Sequence, residues 1–247
     1  MPRIYLSPST QDWNPYVDGS GSEEYWMNLL ADTLEPYLYA NTISFARNTP
    51  EMTAASSIAQ ANSLGGVDFY LALHSNASGE GQAGKNRGII VFYYPTSSDG
   101  KRAAELFAAQ LRMVYPLPAK VTTQATTTLG EVRRPRYPAN LIELGYHDNY
   151  DDARWIENNL DAAAQAIARG LTEYFGLPFI YPQLVRTGVV TTEGSALRLR
   201  SYPGIDGEIV GSIPNGESVQ VYGSFQGWYS VGYDGQLGYA AQAYIAV

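Results

Sequence analysis

Phe69-Tyr70-Leu71-Ala72-Leu73-His74-Ser75-Asn76-Ala77 is the stretch on which the reading of this chain turns. Its unbroken apolar run has no polar face, so Val67–Leu73 reads as a strand buried on both sides, and the polar residues after Leu73 mark where the strand gives way to a loop. A strand buried on both sides needs helices above and below it. Helical periodicity is found at 23–39, 52–64, 100–115 and 150–175, with further short strands at Arg3–Leu6, Thr42–Phe45, Ile89–Tyr94 and Ala139–Glu143. In the first helix Met27, Leu30, Ala31, Leu34 and Leu38 recur at helical spacing; Ser22 is placed to cap it, and Glu23 and Glu24 suit the positive end of its dipole. This alternation predicts an α/β fold, a largely parallel twisted sheet flanked by helices, with functional loops at the carboxyl ends of the strands.

Past residue 177 the helical pattern stops. The segment from Gly176-Leu177-Pro178 to Pro182 divides the chain, and residues 183–247 carry turn signals at Tyr202-Pro203-Gly204, Pro214-Asn215-Gly216, Gln226-Gly227 and Asp234-Gly235. Short strands between such turns predict a small all-β barrel. The expected domains are therefore 1–177 and 183–247.

Composition narrows the chemistry. Among 247 residues the net charge is −8, which argues against a nucleic-acid partner, because phosphate neutralisation needs clustered Lys and Arg. No apolar run approaches the roughly 20 residues of a membrane span, and the opening MPRIYLSPST lacks the pattern of a secretory signal. There is no cysteine and there are two histidines, His74 and His147, which removes thiolate chemistry and leaves any transition-metal site to imidazole and oxygen ligands. Both histidines follow apolar strands, and Glu143 ends the second of these strands four residues before His147.

The order of these segments resembles the zinc-dependent N-acetylmuramoyl-L-alanine amidases of the amidase-3 type over residues 3–175. That family runs from an I-x-L-D-P-G-H strand end through a glutamate at a helix start to S-x-H-x-N-A, and finishes at P-x-x-L-x-E-x-G-F-x-x-N. Here Ser22-Glu23-Glu24-Tyr25-Trp26-Met27-Asn28-Leu29 is similar to the helix start, Ala72-Leu73-His74-Ser75-Asn76-Ala77 to the third segment, and Pro138–Asn149 to the fourth. The resemblance implies Zn2+ as cofactor, His74 and Glu24 as metal ligands and Glu143 as the catalytic carboxylate. Glu23 is the alternative to Glu24, but the register with Asn28 and the helix face favour Glu24.

The family's first histidine is missing, since the chain reads Ile4-Tyr5-Leu6-Ser7-Pro8-Ser9-Thr10-Gln11. Either His147 or Gln11 fills the vacancy, and imidazole, the better zinc donor, favours His147. Asn76 and Arg134 are candidate substrate-binding residues, the latter within an Arg133, Arg134 and Arg136 cluster suited to peptide carboxylates. Asp148 is read as the cap of the following helix or as a partner of His147.

The tail resembles a bacterial SH3-type domain. Leu197-Arg198-Leu199-Arg200-Ser201-Tyr202-Pro203-Gly204 is similar to its L-N-V-R-x-x-P opening and Gln226-Gly227-Trp228-Tyr229-Ser230-Val231 to its N-G-W-x-x-V strand. Tyr202, Trp228 and Tyr239 suit either a binding groove or the barrel core. The implied protein is a monomeric peptidoglycan amidase of the cell wall or extracellular space. The competing readings are a non-catalytic wall-binding protein and a zinc peptidase acting on another wall amide.

Overall fold

The structure, a computed structural model, describes residues 1–247. The chain forms two compact units, Arg3–Leu34 with Phe45–Tyr174, and Met1–Pro2 with Glu35–Ser44 and Phe175–Val247. No helix is long and apolar enough to cross a membrane.

The larger unit is built on a six-stranded sheet of β1 (Arg3–Pro8), β2 (Ser44–Arg47), β3 (Phe69–Asn76), β4 (Ile89–Tyr93), β5 (Val121–Ala125) and β6 (Ala139–Tyr146), in the order β2-β1-β3-β6-β4-β5. β3 is buried from Phe69 to Ser75, as its apolar run predicts. β1, β3 and β6 run parallel, but β4 is antiparallel to β6 and carries β5 parallel to itself. The sheet is therefore mixed. Residues 77–88, between β3 and β4, contain no helix, and a parallel return needs a crossover of that kind. Between β4 and β5 the chain does form a helix, and that pair is parallel.

The helices are α1 (Glu23–Ala40), α2 (Ala54–Ser63), α3 (Ser98–Arg112), α4 (Gly130–Arg133), α5 (Tyr150–Asn158) and α6 (Leu160–Phe175). Ser22 caps α1, its Oγ accepting the N–H of Tyr25 at 3.2 Å. Met27, Leu30, Ala31, Leu34 and Leu38 form the buried stripe of α1. The stretch 150–175 is two helices, because Asn159 leaves the helical backbone between them. β5 and α4 both lie in a region where the sequence showed no periodicity.

The end of β6 is clamped. Gly145, at φ +145, adopts a backbone that side-chain-bearing residues rarely take, and a Cβ there would lie 3.4 Å from Asp152. The buried Asp152 carboxylate accepts the N–H groups of Gly88 at 2.9 Å and Tyr146 at 3.1 Å, Nε of Arg87 at 2.9 Å and the Tyr115 hydroxyl at 2.6 Å. Asn149, not Asp148, caps α5. Asp148 instead accepts the N–H groups of Ser78 and Gly84 and so pins the loop after β3.

The smaller unit contains a seven-stranded antiparallel sheet of β7 (Arg186–Val190), β8 (Leu197–Arg200), β9 (Ile209–Ile213), β10 (Ser218–Phe225), β11 (Trp228–Tyr233), β12 (Gln236–Ala241) and β13 (Ile245–Ala246). Alternating side chains such as Leu197, Leu199, Val219, Val221 and Val231 fill its core. Tyr239 is fully buried and belongs to packing, whereas Tyr202 is 44% exposed. Within this unit Asn41 binds the Ile180 backbone in both directions, at 3.0 and 2.6 Å.

Candidate active site

A cleft of about 580 Å³ opens at the carboxyl ends of β1 and β3. Gln11, Trp13 and Glu24 line its wall, with His74, Glu131 and Glu143 beneath; no lysine or arginine lines it. His74 and Glu143 face each other in register across β3 and β6. Parallel pairing of two strands that each end in a functional residue brings those residues to one place.

His74 is buried between two carboxylates. Its Nδ1 lies 2.7 Å from Oε1 of Glu23, at the start of α1, and its Nε2 lies 2.9 Å from Oε2 of Glu131, on the single turn α4. The amide nitrogen of Gln11 stands 3.3 Å from Glu23 Oε1 and 3.5 Å from His74 Nδ1. Asn14 donates to the other oxygen of Glu23 at 2.9 Å, and Ser7 and Tyr70 each donate to Oε1 of Glu131 at 2.7 Å. Burial alone would drive His74 towards neutrality, but the bonds to Glu131 and Glu23 outweigh it and hold its pKa well above the usual value. Burial likewise opposes ionisation of Glu23 and Glu131, yet the bond and charge of His74 win and both stay below the carboxylate range.

Glu143 is different. It is partly exposed towards the cleft, but its Oε2 is buried and has no hydrogen-bond partner. Burial, against the pull of His74 and with the repulsion of Glu23 and Glu131, pushes its carboxyl up to about 7. An unpaired carboxylate that titrates near neutrality beside a cleft is suited to taking and returning a proton.

Two expected ligands are not where the sequence reading put them. Glu23, not Glu24, meets His74. Glu23 shares the buried stripe of Met27, Leu30 and Leu34 at i+4, i+7 and i+11, whereas Glu24 is turned by about 100° to the rim of the cleft. There burial and the charges of Asp12 and Glu51 raise its pKa. Asn28, which set the register, ties the helix to Ser9 and Arg47 instead.

His147 is turned away from the clasp around His74. Its Nδ1 donates to the Ser75 carbonyl at 2.8 Å and its ring stacks on Tyr16 at 5.6 Å. The cause is the register shift after His74 that pairs Asn76 with Tyr146 and reorients the chain end at Gly145. His147 supports the loop that delivers Gln11 and Asn14, its carbonyl accepting the Val17 N–H at 3.0 Å.

Of the expected substrate contacts, Asn76 bonds the Ala77 N–H through its own side chain and Arg134 is exposed outside the cleft lining. Glu131 was missed by the sequence reading. Its only local signal is an acidic residue between Leu129 and Val132, in a stretch with no legible element.

The profile of the N-acetylmuramoyl-L-alanine amidase family matches residues 16–173, and that of the bacterial SH3 domain residues 195–246. No curated protein matches. Among solved structures, the CwlD amidase of Clostridioides difficile, determined in complex with the GerS lipoprotein, superposes with a TM-score of 0.64 at 16% identity, over 71% of this chain and 99% of that one. AmiC2 of Nostoc punctiforme, an N-acetylmuramoyl-L-alanine amidase, gives 0.62 at 16% identity over 71% of this chain and 97% of its own. The catalytic domain of the CD27L endolysin, which targets Clostridia Difficile, gives 0.56 at 20% identity over 70% and 98%. These likenesses establish the fold, and the family profile, which includes the ends of β3 and β6, establishes descent: the chain belongs to the N-acetylmuramoyl-L-alanine amidase family and carries a bacterial SH3 domain after the amidase region in the sequence.

Proposed function

We propose that this amidase hydrolyses the bond between N-acetylmuramic acid and the stem-peptide L-alanine of peptidoglycan, with Zn2+ held by Glu23, His74 and Gln11 and with Glu143 as general base. The observation that carries this reading is the unpaired Oε2 of Glu143, in register with His74 beneath the cleft.

No three His, Cys, Asp or Glu side chains converge in ligating geometry, so the fit to zinc rests on the chemistry of the donors. An imidazole and a buried carboxylate 2.7 Å apart are nitrogen and oxygen donors that zinc accepts, and the Gln11 side chain beside both would supply its amide oxygen, which now accepts from Asn14 at 3.1 Å. Three protein donors also leave the open position that catalytic zinc sites keep. When bound, zinc supplies Lewis acidity to the scissile carbonyl and lowers the pKa of water towards about 7. Glu143 takes the proton of the attacking water at Oε2 and delivers it to the departing amine. Glu131 and Asn14 hold His74 and Glu23 in place. The absence of lysine and arginine from the lining suits a neutral amide, whose carboxyl is already blocked by the bond to be cut.

In this reading residues 1–177 cut and residues 183–247 hold the enzyme on the wall, where linkage raises the effective concentration of the second contact. The site of action is the cell wall or extracellular space. Digestion of purified peptidoglycan with and without chelator tests the proposal. New amino-terminal L-alanine that vanishes on chelation is expected. Different new termini would point to a zinc peptidase, and no cleavage after zinc addition would point to a wall-binding protein without catalysis.

A further inference from the structure

A neutral imidazole has one N–H and one lone pair, and whichever nitrogen donates a hydrogen bond leaves the other to face a metal. His74 has a carboxylate at each nitrogen and donates to both; once a metal occupies one nitrogen, only the other keeps its N–H and its carboxylate partner. The two sides are not equivalent. On the Nδ1 side the Gln11 side-chain amide lies within 3.5 Å, close enough to bring its oxygen to a metal there. On the Nε2 side Glu131 is buried, its Oε1 already saturated by the hydroxyls of Ser7 from β1 and Tyr70 from β3, both at 2.7 Å. The Tyr70 ring is in turn stacked on Tyr5 at 5.2 Å, so the anchor of Glu131 is itself fixed in the core.

We infer that Glu131 is a positioning residue: it holds His74 through Nε2–H and thereby presents Nδ1 to Glu23 and Gln11. This rests on the zinc reading above. Its part is to limit the rotation and fix the tautomer of the imidazole that does the binding. No such carboxylate was legible in the sequence; the short α4 carries it.

The test is zinc affinity of the full chain by competition with a chromophoric chelator, paired with imidazole 15N spectra. With two histidines in the chain, one His147→Gln sample assigns the spectrum. In the wild-type protein zinc is expected on Nδ1 of His74 with Nε2 still protonated. Glu131→Gln is expected to keep one zinc per chain with affinity lowered about 10- to 100-fold, the range for loss of an orienting partner. Tyr70→Phe should shift affinity in the same direction by less, and it carries the test if Glu131→Gln does not fold. Wild-type affinity and unchanged spectra in both variants would overturn the inference. So would zinc on Nε2, because Glu131 would then be a ligand. Failure of the unsubstituted protein to take up zinc would overturn the metal reading and this inference together, and it is recognised before any substitution is made.

Discussion

His74 and His147 follow neighbouring strands, and both are buried. Their surroundings differ in kind. His74 meets two carboxylates and an amide, groups that gain from a cation between them, whereas His147 meets a carbonyl, a hydroxyl and an aromatic face, groups that need only a neutral ring. A buried imidazole becomes a metal or proton site through the charge placed around it, and position at a strand end supplies only the opportunity. One extra residue in the β6 register separates the two outcomes.

The comparison breaks most visibly at the histidines themselves. His74→Ala is expected to abolish zinc uptake and reduce wall hydrolysis to background, while His147→Ala keeps one zinc per chain and loses stability first; metal analysis beside release of L-alanine termini checks this. Loss of zinc stoichiometry in His147→Ala would erase the distinction. Next in size, Glu143→Gln should lower kcat by about 10²- to 10⁴-fold, the contribution of a general base, with zinc content unchanged. The glutamate pair in α1 sharpens the same contrast: Glu23→Gln should weaken zinc binding by more than about 100-fold, beyond the effect of losing an orienting partner, and Glu24→Gln by less than about threefold. Equal effects in a chelator competition would restore Glu24 as ligand.

The smallest effect concerns stability of the metal-free protein. Folding raises the Glu143 carboxyl from 4.5 to about 7, so the folded state binds that proton more tightly, and ionisation costs stability increasingly as pH rises from 4.5 through 7. Glu143→Gln should therefore stabilise the metal-free protein by about 3 kcal/mol at pH 8 and by little at pH 4. Denaturant unfolding at the two pH values measures it; a gain independent of pH would mean that Glu143 is not perturbed as described.

What was legible followed from local pattern. The run Phe69–Leu73 and the stripe Met27 to Leu38 encode burial directly, so the strand ends and the first helix were readable, and with them His74 and Glu143. The stripe also bears on Glu23 and Glu24: Glu23 continues its spacing, but the helix face was read, together with the register of Asn28, as favouring Glu24. Glu131 was out of reach. It sits on a four-residue helix without periodicity and meets a histidine 57 positions away, so only the assembled sheet brings the two together. The turning of His147 depends on the backbone of Gly145, an angle that no side-chain pattern records.

Asp152 gives β6 a property that its neighbours lack. Residues 77–88 are rich in glycine and polar side chains and by composition should open readily. Yet the amides of Gly88 and Tyr146 end on a carboxylate inside the core, so their exchange with solvent requires that core to come apart rather than the loop to swing. Deuterium uptake at these two amides should follow the global unfolding of the unit, while the residues between Ser78 and Gly84 exchange early. Glu143 thus stands on a strand end whose lifetime is that of the fold, beside a loop held at Ser78, Gly84 and Gly88.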